Sequence, residues 1–92
     1  MKIDFDPEKS NKNIRERGLA FELIVEFDWE TAIYAEDIRS LYAERRFITI
    51  GYIGQRLHVV CFTPIKGGIR AISFRKANLR EVKRYEKETI NQ

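Results

Sequence analysis

The stretch Ile69-Arg70-Ala71-Ile72-Ser73-Phe74-Arg75-Lys76-Ala77-Asn78-Leu79-Arg80-Glu81 decides how the rest of the chain is read. Residues 69–75 read as a strand. Asn78 is then a helix N-cap, and Glu81, three residues on, completes a capping box. Beyond it Leu79, Val82 and Tyr85 step by three and predict the packed side of a helix over 79–88. Arg75 and Lys76 therefore stand where a strand ends and a helix begins. Backbone N–H groups point outward at such a start and the helix dipole is positive, so two cations there favour a phosphate. Solvated loop charges are the alternative.

Working backward, residues 46–53 and 56–63 read as two strands joined at Gly54-Gln55, with glycine first as a type II′ turn requires. Pro64 to Gly68 is a second tight connection, so three consecutive strands form an antiparallel meander. Residues 31–35 read as a further strand, followed by a polar connection over 36–45. Nearer the start, residues 2–5 alternate as a short strand. Asp6-Pro7 then opens a helix that Gly18 ends. That helix is polar, with Ile14 its clearest apolar contact. A second short helix buries Phe21, Ile24 and Val25, and Phe27 and Trp29 close the region as core or partner-facing aromatics. The order is strand, two helices, four strands, helix. It predicts an α+β domain over residues 1–92, with helices packed on an antiparallel sheet.

Charge narrows the function. The chain has 92 residues, 34% charged and 43% hydrophobic, which suits a globular domain. Residues 1–44 hold six Lys/Arg and eleven Asp/Glu, a net −5; residues 45–92 hold eleven and three, a net +8. A basic half of this density is the footprint of a polyanion ligand, and the acidic half implies a non-binding face. The single Cys61 implies a reducing compartment, and one Cys with one His excludes a Cys/His zinc site. No stretch is long and apolar enough for a membrane span, and no secretory signal precedes the first charges.

No P-loop, dinucleotide fingerprint or Ser/His/Asp signature occurs. What remains is a set of cations, among them Arg46, Arg70, Arg75, Lys76, Arg80, Arg84 and Lys87, with Glu44, His58 and Tyr85 as proton carriers near them in sequence. In the 56–63 strand Arg56, His58 and Val60 share a face, which their cations mark as exposed or ligand-facing. In the 69–75 strand, alternation puts Arg70 opposite Arg75. On the last helix Arg80, Arg84 and Lys87 share one side. Such a set could cleave RNA without a metal. The substrate supplies its 2′-hydroxyl as nucleophile, and arginine forks hold the phosphate oxygens. A non-catalytic nucleic-acid module would carry the same residues.

The chain also resembles a known family. Phe5-Asp6-Pro7-Glu8-Lys9, Asn13-Ile14-Arg15-Glu16-Arg17-Gly18 and Phe21-Glu22 carry the likeness first. Tyr42-Ala43-Glu44-Arg45-Arg46-Phe47-Ile48, Ile50-Gly51, Arg56-Leu57-His58-Val59-Val60 and Thr63 continue it. It is most specific at Arg70-Ala71-Ile72-Ser73-Phe74-Arg75-Lys76-Ala77, with Arg80-Glu81 and Tyr85-Glu86. These segments are similar to the BrnT family, toxins of bacterial type II toxin–antitoxin modules. The sequence departs from the family pattern at Phe5 (usually Trp), Arg17 (usually His) and Phe74 (usually small). The resemblance implies a RelE-like fold and a cytoplasmic, metal-independent ribonuclease that needs no cofactor and inhibits translation. It implies an RNA substrate and a BrnA-type ribbon-helix-helix antitoxin, through which alone operator DNA is bound and the operon repressed. It leaves open a toxin dimer within that complex. On this resemblance Arg46, Arg75 and Lys76 are the expected phosphate or transition-state contacts, with Glu44, His58 and Tyr85 for proton transfer. Arg70, Arg80, Arg84 and Lys87 are the expected RNA-binding residues. A non-catalytic binding or repressor-assembly partner stays open beside the ribonuclease.

Overall fold

The computed structural model describes residues 1–90; residues 91 and 92, inside the expected domain, lie outside the described residues. The elements are β1 (Lys2–Asp4), α1 (Pro7–Arg17), a 3-10 helix (Phe21–Glu26), β2 (Ile33–Glu36), β3 (Phe47–Ile53), β4 (Arg56–Ile65), β5 (Gly68–Lys76) and α2 (Leu79–Thr89). Their order is the one the sequence predicts. They form an α+β fold around a five-stranded sheet of order β1-β5-β4-β3-β2. Among the described residues no helix is long and apolar enough to cross a membrane.

The sheet is mixed rather than antiparallel. β2, β3, β4 and β5 pair antiparallel, but β1 lies parallel to β5. The reason is connectivity. The two helices after β1 carry the chain from one sheet edge to the other, where β2 runs opposite to β1, and three reversals through β3 and β4 then bring β5 back beside β1 in the same direction. Gly68 permits the approach, because a Cβ there would stand 1.9 Å from the Lys2 carbonyl oxygen. At the β3–β4 hairpin Gly54 has φ 60°, as the type II′ turn demands, and among the described residues no non-glycine residue has positive φ.

One face of the sheet is closed by α1 and the 3-10 helix. Val60, Phe62, Ile69, Ala71 and Phe74 pack there against Leu19, Phe21, Ile24 and Phe27. Edge-to-face contacts link Phe5 to Phe21 (5.7 Å) and Phe21 to Phe74 (6.2 Å). A second pair links Phe27 to Trp29 (4.7 Å) and Trp29 to Phe62 (5.5 Å). Trp29 is thus a core aromatic. Val25, expected inside, is 74% exposed. A 3-10 helix has three residues per turn, so Phe21, Ile24 and Phe27 align inward and Val25 does not. Ile14 is likewise 46% exposed, because α1 docks through polar side chains instead. Asn13 Nδ2 donates to the carbonyls of Leu19 (3.0 Å) and Phe74 (2.9 Å), and Ser10 Oγ accepts from Phe21 N–H (2.9 Å).

The opposite face is covered in part by α2. Val82 and Tyr85 pack over Ile50, Leu57, Val59 and Ala77. The Tyr85 hydroxyl donates to the Thr31 carbonyl at 2.9 Å, tying the helix to the approach of β2. Leu79, expected on the packed side, is 69% exposed, since α2 leans on the sheet one turn further along.

Candidate nucleic-acid interface

A bulge in β5 sets the cations. Cys61 pairs with Ser73 but Phe62 pairs with Ala71, so Ile72 is an extra residue that shifts the alternation. Ile69, Ala71 and Phe74 consequently all reach the closed face, and Arg70 and Arg75 both fall on the α2 side. The expectation that Arg70 and Arg75 point to opposite faces is therefore overturned by one inserted residue. The β4 expectation reverses as well. His58 and Val60 face the closed core, while Val59 and Cys61 face the α2 side.

Among the described residues no element covers the α2 side of the sheet beyond the reach of α2. Two cross-strand rows remain accessible there. Ala35, Ile48, Cys61 and Ser73 form one, and Arg46, Arg70 and Asp4 the next, with Thr63 buried between them. Arg75 lies one row on the other side, beside Val59 at the margin of α2. Arg46 and Arg75 thus flank one open surface. Their backbones are roughly 13 Å apart along the strands and about 10 Å across them. That spacing suits separate phosphates of one strand rather than one phosphate held by both.

The two arginines differ in what they are doing. Arg75 Nη1 and Nη2 donate to the two Glu81 carboxylate oxygens at 2.7 and 2.8 Å, and Glu81 also accepts from Asn78 N–H in the capping box. The Arg75 hydrogen bonds hold Glu81 below the usual carboxylate range, and Glu81 raises Arg75 in turn. Arg46 lies 4.0 Å over the Tyr42 ring. Its contact with Glu44 is 3.5 Å, an ion pair, and its buried Nε has no hydrogen-bond partner. Among the described residues no other buried side-chain nitrogen or oxygen is left so.

The loop that carries Arg46 is held by Asp37. This carboxylate, 2% exposed, accepts from Arg39 Nε and Nη2 (2.8 Å each), Arg39 N–H (3.2 Å) and the Tyr42 hydroxyl (3.2 Å). Hydrogen bonds from Arg39 first, against desolvation, hold it well below the usual aspartate range. Residues of this loop, Arg46 included, line an open cleft of about 310 Å³.

The other expected residues lie elsewhere. Lys76 pairs with His58 in register, on the closed-face side. His58 is buried, stacked on Phe74 (5.5 Å), and its Nδ1–H donates to the Arg56 carbonyl at 2.9 Å. Burial pulls its pKa below the usual histidine value. Tyr85 lies beneath α2. Arg80, Arg84 and Lys87 project outward from α2, with Arg84 bonded to Glu88 at 3.0 Å. Arg70 is bonded to Asp4 at 3.1 Å. Phe74 is fully buried on the closed face, away from Arg75. Among the described residues no three His, Cys, Asp or Glu side chains converge as a metal site would need.

Sequence reasoning did not find Asp37, nor Glu81's second role as the Arg75 partner. The signal for the first was faint: an Asp two residues before an Arg, as an Asx turn permits. For the second there was none, because Glu81 already had an explanation as a cap.

A family model described as "Ribonuclease toxin, BrnT, of type II toxin-antitoxin system" matches residues 5–81. No curated protein and no solved structure gives a match.

Proposed function

Because the chain belongs to the BrnT family, ribonuclease toxins of type II toxin–antitoxin systems, we propose that it cleaves RNA on the uncovered sheet face by metal-independent attack of the substrate's own 2′-hydroxyl. The observation that carries this reading is the β5 bulge, which turns Arg70 and Arg75 to the face where Arg46 stands. In the reaction the 2′-oxygen bonds to the adjacent phosphorus while its proton goes to a base. The bond from phosphorus to the 5′-oxygen breaks, and that oxygen is protonated as it leaves. Products are a 2′,3′-cyclic phosphate and a 5′-hydroxyl. Arg46 stabilises the charge gathering on the phosphorane. Glu44, 3.5 Å from Arg46, is the proton acceptor in this reading. Arg75 and Arg70 hold neighbouring phosphates, and Arg80, Arg84 and Lys87 extend the basic track along α2.

The family implies an antitoxin partner and an RNA substrate. The finer reading is a cytoplasmic toxin that stops translation. A BrnA-type ribbon-helix-helix antitoxin neutralises it by covering the basic face, and the pair represses its own operon. Incubating the purified chain with RNA in EDTA tests the chemistry. Arg46→Ala is expected to slow cleavage about a hundredfold, the scale of losing one preorganised charge at a developing anion. Cleavage at wild-type rate in both Arg46→Ala and Arg75→Ala would remove the assigned site. A second reading, a binding partner without catalysis, is favoured by the placement of His58 and Tyr85 away from this face. RNA binding with no cleavage would select it.

A further inference from the structure

Residues 37–46 form a ten-residue connection without helix or strand, and its own apolar side chains do not hold it in place. Ile38 is 82% and Leu41 103% exposed. It is held instead by the buried Asp37 carboxylate with four donors, and by the Asp37 N–H bonded to the Arg46 carbonyl at 2.8 Å. The three arginines of the connection are treated differently. Arg39 and Arg45 each place two hydrogen bonds on a carboxylate, of Asp37 and Glu36 respectively. Arg46 makes no such bond; its guanidinium rests on the Tyr42 ring, whose hydroxyl is bonded to Asp37. A network of this strength in a loop with no core fixes two things: where Tyr42 stands, and therefore where Arg46 stands.

Resting on the reading of Arg46 as a phosphate contact, we infer that Asp37 and Tyr42 are positioning residues for Arg46. The buried carboxylate holds the Tyr42 ring, and the ring holds the guanidinium extended at the edge of the open face. A flexible arginine loses rotamer freedom on gripping a phosphate, and a preformed platform removes that cost beforehand. The ring also favours the cation without occupying its N–H donors.

The test uses a charge count that a purely architectural role would not move. Binding of the purified chain to a fluorescent single-stranded 2′-O-methyl RNA, which offers no 2′-hydroxyl for cleavage, is measured against salt concentration. Each phosphate contact contributes about 0.7 to the slope of log affinity on log salt for a single strand. Arg46→Ala should lower the slope by about 0.7. Tyr42→Leu removes no charge, yet should lower the slope by a similar amount and weaken binding about threefold to tenfold. The double variant should fall no further. Tyr42→Phe, which keeps the ring and loses the Asp37 bond, should lie between wild type and Tyr42→Leu, and carries the test alone if Tyr42→Leu does not fold. An unchanged slope in Arg46→Ala, or no binding by the wild type, overturns the phosphate reading and this inference with it. A reduced slope in Arg46→Ala with wild-type slopes in the Tyr42 variants overturns the inference alone. So does a double variant whose slope falls by the sum of the two.

Discussion

The two faces of the sheet satisfy their polar groups in different ways. On the closed face the partners are mainly backbone carbonyls and amides, with Ser10 and Asn13 also bonded to Glu22 and Arg17 side chains. Asn13 bonds the carbonyls of Leu19 and Phe74, Ser10 bonds the Phe21 amide, Thr49 bonds the Ile33 carbonyl and His58 bonds the Arg56 carbonyl. On the open face the exposed charged groups are bonded to one another through side chains: Arg70 to Asp4 and Arg75 to Glu81. A backbone bond of this kind cannot be exchanged without undoing the fold. An exposed ion pair can be exchanged for a phosphate at little cost, because it contributes little net stability in water. Stability is thus concentrated where nothing needs to move, and the opposite surface is left with displaceable partners.

That contrast can be broken most directly at Phe74. It is fully buried, touches the Phe21 ring and lies under His58. Phe74→Ala should cost about 3–5 kcal/mol in chemical denaturation, the range for deleting a core phenyl ring. A loss below about 1 kcal/mol would mean that the closed face is not where stability resides. Asn13→Ala is the next step down. It leaves two carbonyls without the donor they now share, and should cost about 2 kcal/mol. Neither change touches an open-face residue, so RNA binding per folded molecule should stay at the wild-type value for both.

How far the sequence revealed all this depended on whether one residue's pattern sufficed. Asp6-Pro7, the Gly54-Gln55 turn and the Asn78–Glu81 capping box are local chemistry, and each element stands where they put it. The parallel placement of β1 was not legible, because it follows from how the helices cross the sheet. The bulge at Ile72 was not legible either; nothing in a strand's own sequence marks the extra residue, yet it reassigns Arg70. The outward turn of Val25 was not legible, because its spacing from Phe21 and Ile24 fits an α-helix and the segment is a 3-10 helix. At the candidate site the cations were visible as residue types. Their partners were not, since Glu81 lies six residues from Arg75 and across a turn of structure.

Glu81 offers the smallest and sharpest test of the comparison. Glu81→Gln keeps a residue able to serve the capping box and removes the charge that occupies Arg75. The pair is partly exposed, with side chains 38% and 18% accessible, so its loss should cost only about 0.5–1 kcal/mol at neutral pH. The sign of the pH dependence follows from the depressed pKa of Glu81. Its contribution is fully present above the ordinary glutamate value of 4.5 and disappears as pH falls through the lower folded value. Stability curves of wild type and variant should therefore run parallel above that value and merge in acid. Asp37 titrates in both proteins and cancels from the difference. RNA binding at neutral pH should move the other way. With its fork released, Arg75 can take a phosphate without first giving up a carboxylate, so the variant should bind more tightly and with a steeper salt dependence. If stability falls and binding falls with it, Glu81 is aiming Arg75 rather than occupying it, and the open face depends on its internal bonds no less than the closed one does.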